Sequence, residues 1–136
     1  MRGEYQHNID AKGRMIFPVK FREELGEGFV VAKGLDNCLN VYSKSDWEEF
    51  ENKISSLPSK ARKMQRFFCD STVCEPDVQG RIIIPNSLRE YAGLTKEVTI
   101  VGMQRRAEIW DRAAWKRYNS DVTSDDIAAL MDDMGV

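Results

Sequence analysis

The chain has 136 residues, 42% hydrophobic and 31% charged, with 20 Lys and Arg against 22 Asp and Glu for a net charge of −2. This length predicts one domain or two very small ones with a real core, and no apolar run approaches the roughly 18 residues of a membrane span. A lone His7, an odd set of three cysteines, and the lack of any G-x-S-x-G nucleophile or glycine-rich phosphate loop argue against an enzyme, a metal centre, a cofactor site or a disulfide scaffold.

The opening residues Met1-Arg2-Gly3-Glu4 carry no apolar h-region, so export is not expected and the cytoplasm is. Residues 4–9 are strand-like and lead into Asp10-Ala11-Lys12-Gly13. Asp-x-x-Gly is a tight-turn signature, because Asp bonds backbone two residues on and Gly supplies a positive φ. Residues 14–17 form a second strand, and the run Met15-Ile16-Phe17 predicts burial on both faces. Pro18 ends that strand and opens a short helix over 19–25, with Gly26 placed for a left-handed cap. Strands follow at 29–32 and 40–42.

Residues 46–57 place Trp47, Phe50, Ile54 and Leu57 on one helical face, and Pro58 breaks the run. A second helix over 60–69 carries Lys60, Arg62, Lys63 and Arg66, a face that is either solvated or in contact with phosphate. Cys69 and Cys74 are expected as reduced thiols near the module boundary. With His7 they would make only a sparse metal site of unusual spacing. Beyond them the pattern recurs: turn Asp77-Val78-Gln79-Gly80, strand 81–84 with Ile82-Ile83-Ile84, Pro85, helix 86–92, Gly93, and strands at 98–101 and 107–110. At the end, Thr123 or Ser124 caps a helix whose stripe of Ile127, Leu130, Met131 and Met134 predicts core packing or a subunit contact.

Aligning residues 10–26 with 77–93 gives eight identities in 17 positions: the pairs 10/77, 13/80, 14/81, 16/83, 18/85, 22/89, 23/90 and 26/93. Average residue usage would give about one. After a one-residue slip, Val30 meets Val98, Gly34 meets Gly102, Val41 meets Ile109, Tyr42 meets Trp110 and Trp47 meets Trp115. The chain is therefore α+β, built from two tandem modules at 5–47 and 76–119, a helical linker at 48–75, and an acidic tail at 120–136. Neither module is large enough to cover its own apolar runs, so two that interleave their hairpins would solve the problem for both.

Charge is unevenly spread. Residues 121–136 hold five Asp and no Lys or Arg, so residues 1–120 carry 20 basic and 17 acidic groups, a net +3. A local anion-binding face fits that sum, and so does a mixed solvated surface. The turns concentrate the chemistry. Arg14 and Arg81 present rigid forks that suit guanine O6/N7 or phosphate, or an ion pair to a carboxylate of the body. Asp10 and Asp77 either orient those forks or only close the turns. Arg22-Glu23 and Arg89-Glu90 read as internal ion pairs, His7 as a surface residue of the hairpin, and Trp110 and Trp115 as core aromatics.

The pattern Asp-x-x-Gly-Arg-[apolar]3-Pro-x3-Arg-Glu-x2-Gly, present twice and in register, resembles the swapped-hairpin modules of AbrB-like bacterial transcription factors. The tandem pair resembles the MraZ family, with Arg2-Gly3, Trp47, the segment Ala92-Gly93-Leu94-Thr95-Lys96-Glu97-Val98 and Ile109-Trp110-Asp111 as further matching features. The likeness runs from residue 1 to about 120. It implies an intramolecular swapped-hairpin β-barrel and a sequence-specific regulator, cytoplasmic and nucleoid-associated. Such a regulator acts on its own division and cell-wall gene cluster by binding short direct repeats in promoter double-stranded DNA as a homo-oligomer, a ring. It also implies no membrane partner and no small-molecule ligand. The family's D-x-x-x-R motif falls on Asp10 and Arg14 in the first turn, with Lys12 and Gly13 between, and on Asp77 and Arg81 in the second, with Gln79 and Gly80 between. Lys12 is charged where Gln79 is not, so the two turns differ. A protein-interaction module of the same fold, antitoxin-like or scaffolding, is the alternative reading.

Overall fold

The computed structural model describes residues 1–136. Its first half runs β1 (Glu4–Asn8), β2 (Arg14–Ile16), α1 (Val19–Leu25), β3 (Phe29–Lys33), β4 (Leu39–Tyr42) and α2 (Lys44–Ser55). A 3₁₀ turn at Ser59–Ala61 leads into α3 (Arg62–Phe68), and the series then repeats as β5 (Ser71–Cys74), β6 (Arg81–Ile83), α4 (Asn86–Tyr91), β7 (Glu97–Met103), β8 (Arg106–Asp111) and α5 (Arg112–Ser120). α6 (Ser124–Met134) follows.

The same local devices serve both halves. Pro18 and Pro85 hold an extended backbone immediately before the first residue of α1 and α4. The Ser43 hydroxyl accepts from the Asp46 N–H at the start of α2, and the Asp111 carboxylate accepts from the Ala114 N–H at the start of α5. Both leave fewer unpaired N–H groups in the first helical turn. Gly26 and Gly93 follow their helices with positive φ, though Gly26 combines it with extended ψ and is not a left-handed cap.

Six antiparallel strands form one sheet in the order β1-β7-β8-β4-β3-β5, and β2 pairs with β6 in a separate two-stranded ribbon. Two pairs, β3–β4 and β7–β8, are hairpins of neighbouring strands. The other pairings cross between halves: β1 lies on β7, β5 on β3, β4 on β8 and β2 on β6. The shared core explains the exchange. Met15, Phe17, Phe21 and Phe29 from the first half interlock with Ile82, Ile84, Leu88, Ile100 and Ile109 from the second, all almost wholly buried. Burying each such side chain stabilises by roughly 1.5–3 kcal/mol, and neither half alone could exclude water from its share.

Four expectations need correction. The β2–β6 ribbon is buried on one face only: Met15 and Ile82 are 2% and 1% exposed, whereas Ile16 and Ile83 are 47% and 61% exposed. A three-residue strand alternates regardless of how apolar its sequence is, and here nothing covers the outer face. Secondly, β5 has no counterpart among the elements read from the sequence; Ser71-Thr72-Val73-Cys74 becomes a strand because the edge of β3 accepts it. Thirdly, Leu57 lies beyond the end of α2 and is exposed, so it leaves the apolar face formed by Trp47, Phe50 and Ile54. Fourthly, the stripe on α6 does not enter the core. Thr123 caps this helix in a reciprocal box with Asp126, yet Ile127, Leu130, Met131 and Met134 are all exposed.

Candidate nucleic-acid interface

Each turn is built by one aspartate. Asp10 Oδ1 accepts from the Lys12 and Arg14 backbone N–H groups, both at 2.9 Å, while the Gly13 N–H donates to the Asp10 carbonyl at 3.0 Å. Asp77 repeats the arrangement with Gln79, Arg81 and Gly80. Gly13 and Gly80 have φ of +81° and +78°, a region costly to any residue with a Cβ. The two roles open for the aspartates are both filled. Asp10 Oδ2 accepts from Arg14 Nε at 2.7 Å, and Asp77 Oδ2 accepts from Arg81 Nε at 2.8 Å. Each arginine is thus paired with its own turn and with no carboxylate elsewhere in the body. Anchoring through Nε holds the guanidinium plane, and the two Nη nitrogens, with four N–H donors, remain unpaired within the chain on side chains that are 36% and 35% exposed.

These bonds to the charged form hold the carboxyls of Asp10 and Asp77 below the ordinary carboxylate value of 3.8. The Arg14 and Arg81 backbone N–H groups are the largest causes. Both carboxylates are therefore ionised across the neutral range, and both arginines are fixed there.

The ribbon brings the turns together. Arg14 lies opposite Ile83, and Ile16 opposite Arg81. Because 14, 16, 81 and 83 all point away from the core, the outer face is a checkerboard with the arginines on one diagonal, about 7–8 Å apart by strand geometry. The ribbon's ends are tied across the halves: the Ile84 N–H donates to the Gly13 carbonyl at 2.8 Å and the Phe17 N–H to the Gly80 carbonyl at 3.1 Å. Arg14, Asp77, Arg81, Ile83, Val73 and Glu75 line a shallow depression of about 330 Å³ beside it.

Arg22 and Arg89 are not paired with Glu23 and Glu90. Arg22 Nε donates to the Phe17 carbonyl at 3.1 Å, and its guanidinium would meet a Cβ on Gly80 at 2.7 Å. The Arg89 guanidinium lies likewise against Gly13, 3.1 Å from where its Cβ would stand. Each turn therefore has an arginine of the opposite half seated against its glycine, a contact that opposite charges adjacent in sequence concealed. Both Arg-Glu pairs recur at the same place in the repeat, and that was the available signal.

Of the eight residues singled out in the sequence, the structure gathers Asp10, Lys12, Gly13 and Arg14 in one turn and Asp77, Gln79, Gly80 and Arg81 in the other, at opposite ends of one ribbon. His7 pairs with Val98 in the sheet, and partial burial, with Arg112 nearby, lowers its pKa from 6.5. All three cysteines are free thiols; burial pushes Cys38 up to about 12 and Cys74 up to about 11, far from a reactive thiolate. Trp110 is a buried aromatic, packed with Trp115 and Tyr118.

A duplicated α+β chain whose halves exchange strands and expose two like-built Asp–Arg turns on a shared ribbon is a tandem-module protein of one recognisable kind. Residues 1–67 and again 67–134 match the family model described as "MraZ protein, putative antitoxin-like". The chain is 50% identical over 142 aligned positions to "Transcriptional regulator MraZ" of Thermoanaerobacter sp. strain X514, covering 100% of this chain and 99% of the relative. It is 56% identical over 122 positions to the protein of that name from Desulforamulus reducens, covering 87% and 86%, and 54% identical over 136 positions to that from Moorella thermoacetica, covering 97% and 94%. The chain belongs to the MraZ family, whose curated relatives carry the name of a regulator and not of an enzyme.

Proposed function

We propose that this chain is a sequence-specific transcriptional regulator that binds double-stranded DNA through the turns at residues 10–14 and 77–81. The observation that carries the reading is the pair of arginines locked through Nε, with Nη1 and Nη2 unpaired and aimed outward from one ribbon. A two-stranded ribbon fits a major groove about 12 Å wide, and a fixed guanidinium fork matches guanine O6/N7 or phosphate. Asp10, Gly13, Asp77 and Gly80 shape and orient the turns; Arg14 and Arg81 read bases or phosphate; Lys12 adds a phosphate contact, which Gln79 replaces with a neutral donor and acceptor.

The modules span 5–47 and 76–119, with a linker at 48–75 and an acidic tail at 120–136. The reciprocal pairing of β1 with β7 and β5 with β3 supports a swapped-hairpin barrel. The regulator acts in the cytoplasm, at the nucleoid, on short direct repeats in the promoter of its own division and cell-wall gene cluster. It binds them as a homo-oligomeric ring. A body of net +3 has few charges to hold DNA alone, and linked subunits on successive repeats raise the effective concentration. The uncovered apolar stripe of α6 supports the assembly.

Footprinting on the DNA just upstream of the chain's own gene tests this. Protection of regularly spaced short repeats, with affinity falling as salt rises through counterion release, is the expected result. No protection there, with salt-independent capture of a protein partner instead, would favour the protein-interaction reading.

A further inference from the structure

The checkerboard has a second diagonal. Ile16 and Ile83 occupy it, opposite Arg81 and Arg14 respectively, on the same outward face and more exposed than any other β-branched residue in the two short strands. Isoleucine at both positions is not required by the core, which takes Met15 and Ile82 from the inner face. Nor does an exposed strand position of a solvated ribbon call for it; a short edge would ordinarily carry polar or charged side chains there. The apolar pair is flanked on both sides by arginines whose Nη donors are unpaired within the chain, so a partner that covers it offers hydrogen-bond acceptors beside apolar groups.

We infer that Ile16 and Ile83 are specificity-determining residues that pack against thymine C5-methyl groups while Arg14 and Arg81 engage guanine or phosphate beside them. This rests on the DNA-binding reading and extends it from charge to sequence. Thymine is the one base whose major-groove edge offers a methyl group, and apolar side chains recognise it by contact. The spacing is suitable, because the arginine and isoleucine of each strand are two residues and about 6.8 Å apart, which matches two base-pair steps of about 3.4 Å each. Each cross-strand pair places one isoleucine and one arginine side by side, so the ribbon reads a thymine next to a guanine or phosphate contact, once at each end. The pseudo-two-fold relation through Met15 and Ile82 makes the two readings face in opposite directions along the ribbon. The full chain need not change shape to do this, since the isoleucines already stand clear of the core.

The test uses the full-length chain and duplexes of the footprinted promoter segment, synthesised with thymine or with 2′-deoxyuridine, which lacks only the methyl group. The wild type should bind the uracil duplex about fourfold more weakly for each contacted methyl, the worth of one buried methyl group. Ile16→Ser and Ile83→Ser, checked for folding by circular dichroism, should each lose part of that discrimination, and the double variant nearly all of it. Ile83→Val, which keeps a branched apolar tip, should retain most of its share. Equal binding of the two duplexes by the wild type, with Arg14→Ala still weakened on both, would overturn this inference alone. Failure of the wild type to bind any segment specifically would remove both it and the DNA-binding reading. If the serine variants lower the mass of the assembly by light scattering and leave the thymine-to-uracil ratio unchanged, the pair belongs to a subunit contact and the inference fails.

Discussion

Asp10 and Asp77 do two jobs with two oxygens, one on backbone N–H groups and one on an arginine Nε. Both bonds favour the charged form, so the folded pKa lies below the ordinary value. The stability they contribute is complete above that ordinary value and is lost as pH falls through the lowered folded one. Carboxyl-carbon NMR titration should therefore give midpoints below 3.8 for both residues, with the arginine Nε signals shifting in step; midpoints at or above 3.8 would mean the turns are not held this way. The glycines offer a sharper contrast. A Cβ on Gly13 would stand 2.6 Å from the Ile84 backbone oxygen, whereas on Gly80 the nearest atom is the tip of Arg22 at 2.7 Å. Both alanine variants suffer the left-handed conformation, about 1–2 kcal/mol. Gly13→Ala should cost more in denaturant unfolding, because a backbone carbonyl cannot swing aside as the end of a side chain can. Equal losses would show that Arg22 is as firmly fixed as the backbone. The Asp and Arg of each turn were legible in the sequence because Asp-x-x-Gly-Arg is a local pattern. The seats of Arg22 and Arg89 were not, because each is formed against the other half of the chain.

Among elements, the caps of α2 and α5 show the repeat diverging in strength. Ser43 accepts one backbone N–H, while the largely buried Asp111 accepts from Ala114 N–H and from both the N–H and hydroxyl of Thr95. Ser43→Ala should cost about 1 kcal/mol by urea denaturation. Asp111→Ala should cost more, by about a further 1 kcal/mol for the bonds from Thr95 that Ser43 has no counterpart for. A smaller loss for Asp111 would mean that water replaces it. The strands and short helices of each module were readable from turns, prolines and apolar runs, and most boundaries fell within a residue or two. α5 went unread, although Trp115 matches Trp47, which the sequence places on a helix. The outward face of the ribbon was not readable, because Met15-Ile16-Phe17 and Ile82-Ile83-Ile84 contain no polar residue to mark alternation. β5 was hidden for a different reason. Its four residues form a strand only because β3 offers an edge.

For the whole molecule, the exchange of strands makes each half dependent on the other. Residues 1–50 expressed alone should be unfolded or self-associated, because Phe17, Phe21 and Phe29 would lose the isoleucines that cover them. A well-dispersed NMR spectrum from a monomeric fragment would contradict that dependence. That two modules interleave followed from their size and apolar content. Which strand met which did not, since every crossing contact joins residues far apart in the chain. The assembly can be probed by comparing the full chain with residues 1–120. If the α6 stripe joins subunits, truncation should lower the mass seen by light scattering, and a full-length species of only 15.6 kDa would mean that the chain is a monomer.

If the two turns hold their arginines ready for DNA, Arg14→Ala should reveal it in a single variant. Arg14 is bonded only to its own turn, and the substitution leaves Asp10 Oδ1 with both backbone donors, so the fold should survive by circular dichroism. Fluorescence anisotropy on operator and scrambled duplexes across a salt series should show a loss of about 1–3 kcal/mol on the operator and relaxed sequence preference if Arg14 reads a base. If it holds only phosphate, the loss should be similar on both duplexes, with the salt slope smaller by about one. Lys12→Ala should follow the second pattern, and Arg81→Ala should lose less because Gln79 leaves its turn less basic. Wild-type affinity and an unchanged salt slope in a folded Arg14→Ala protein would remove this turn from the DNA site.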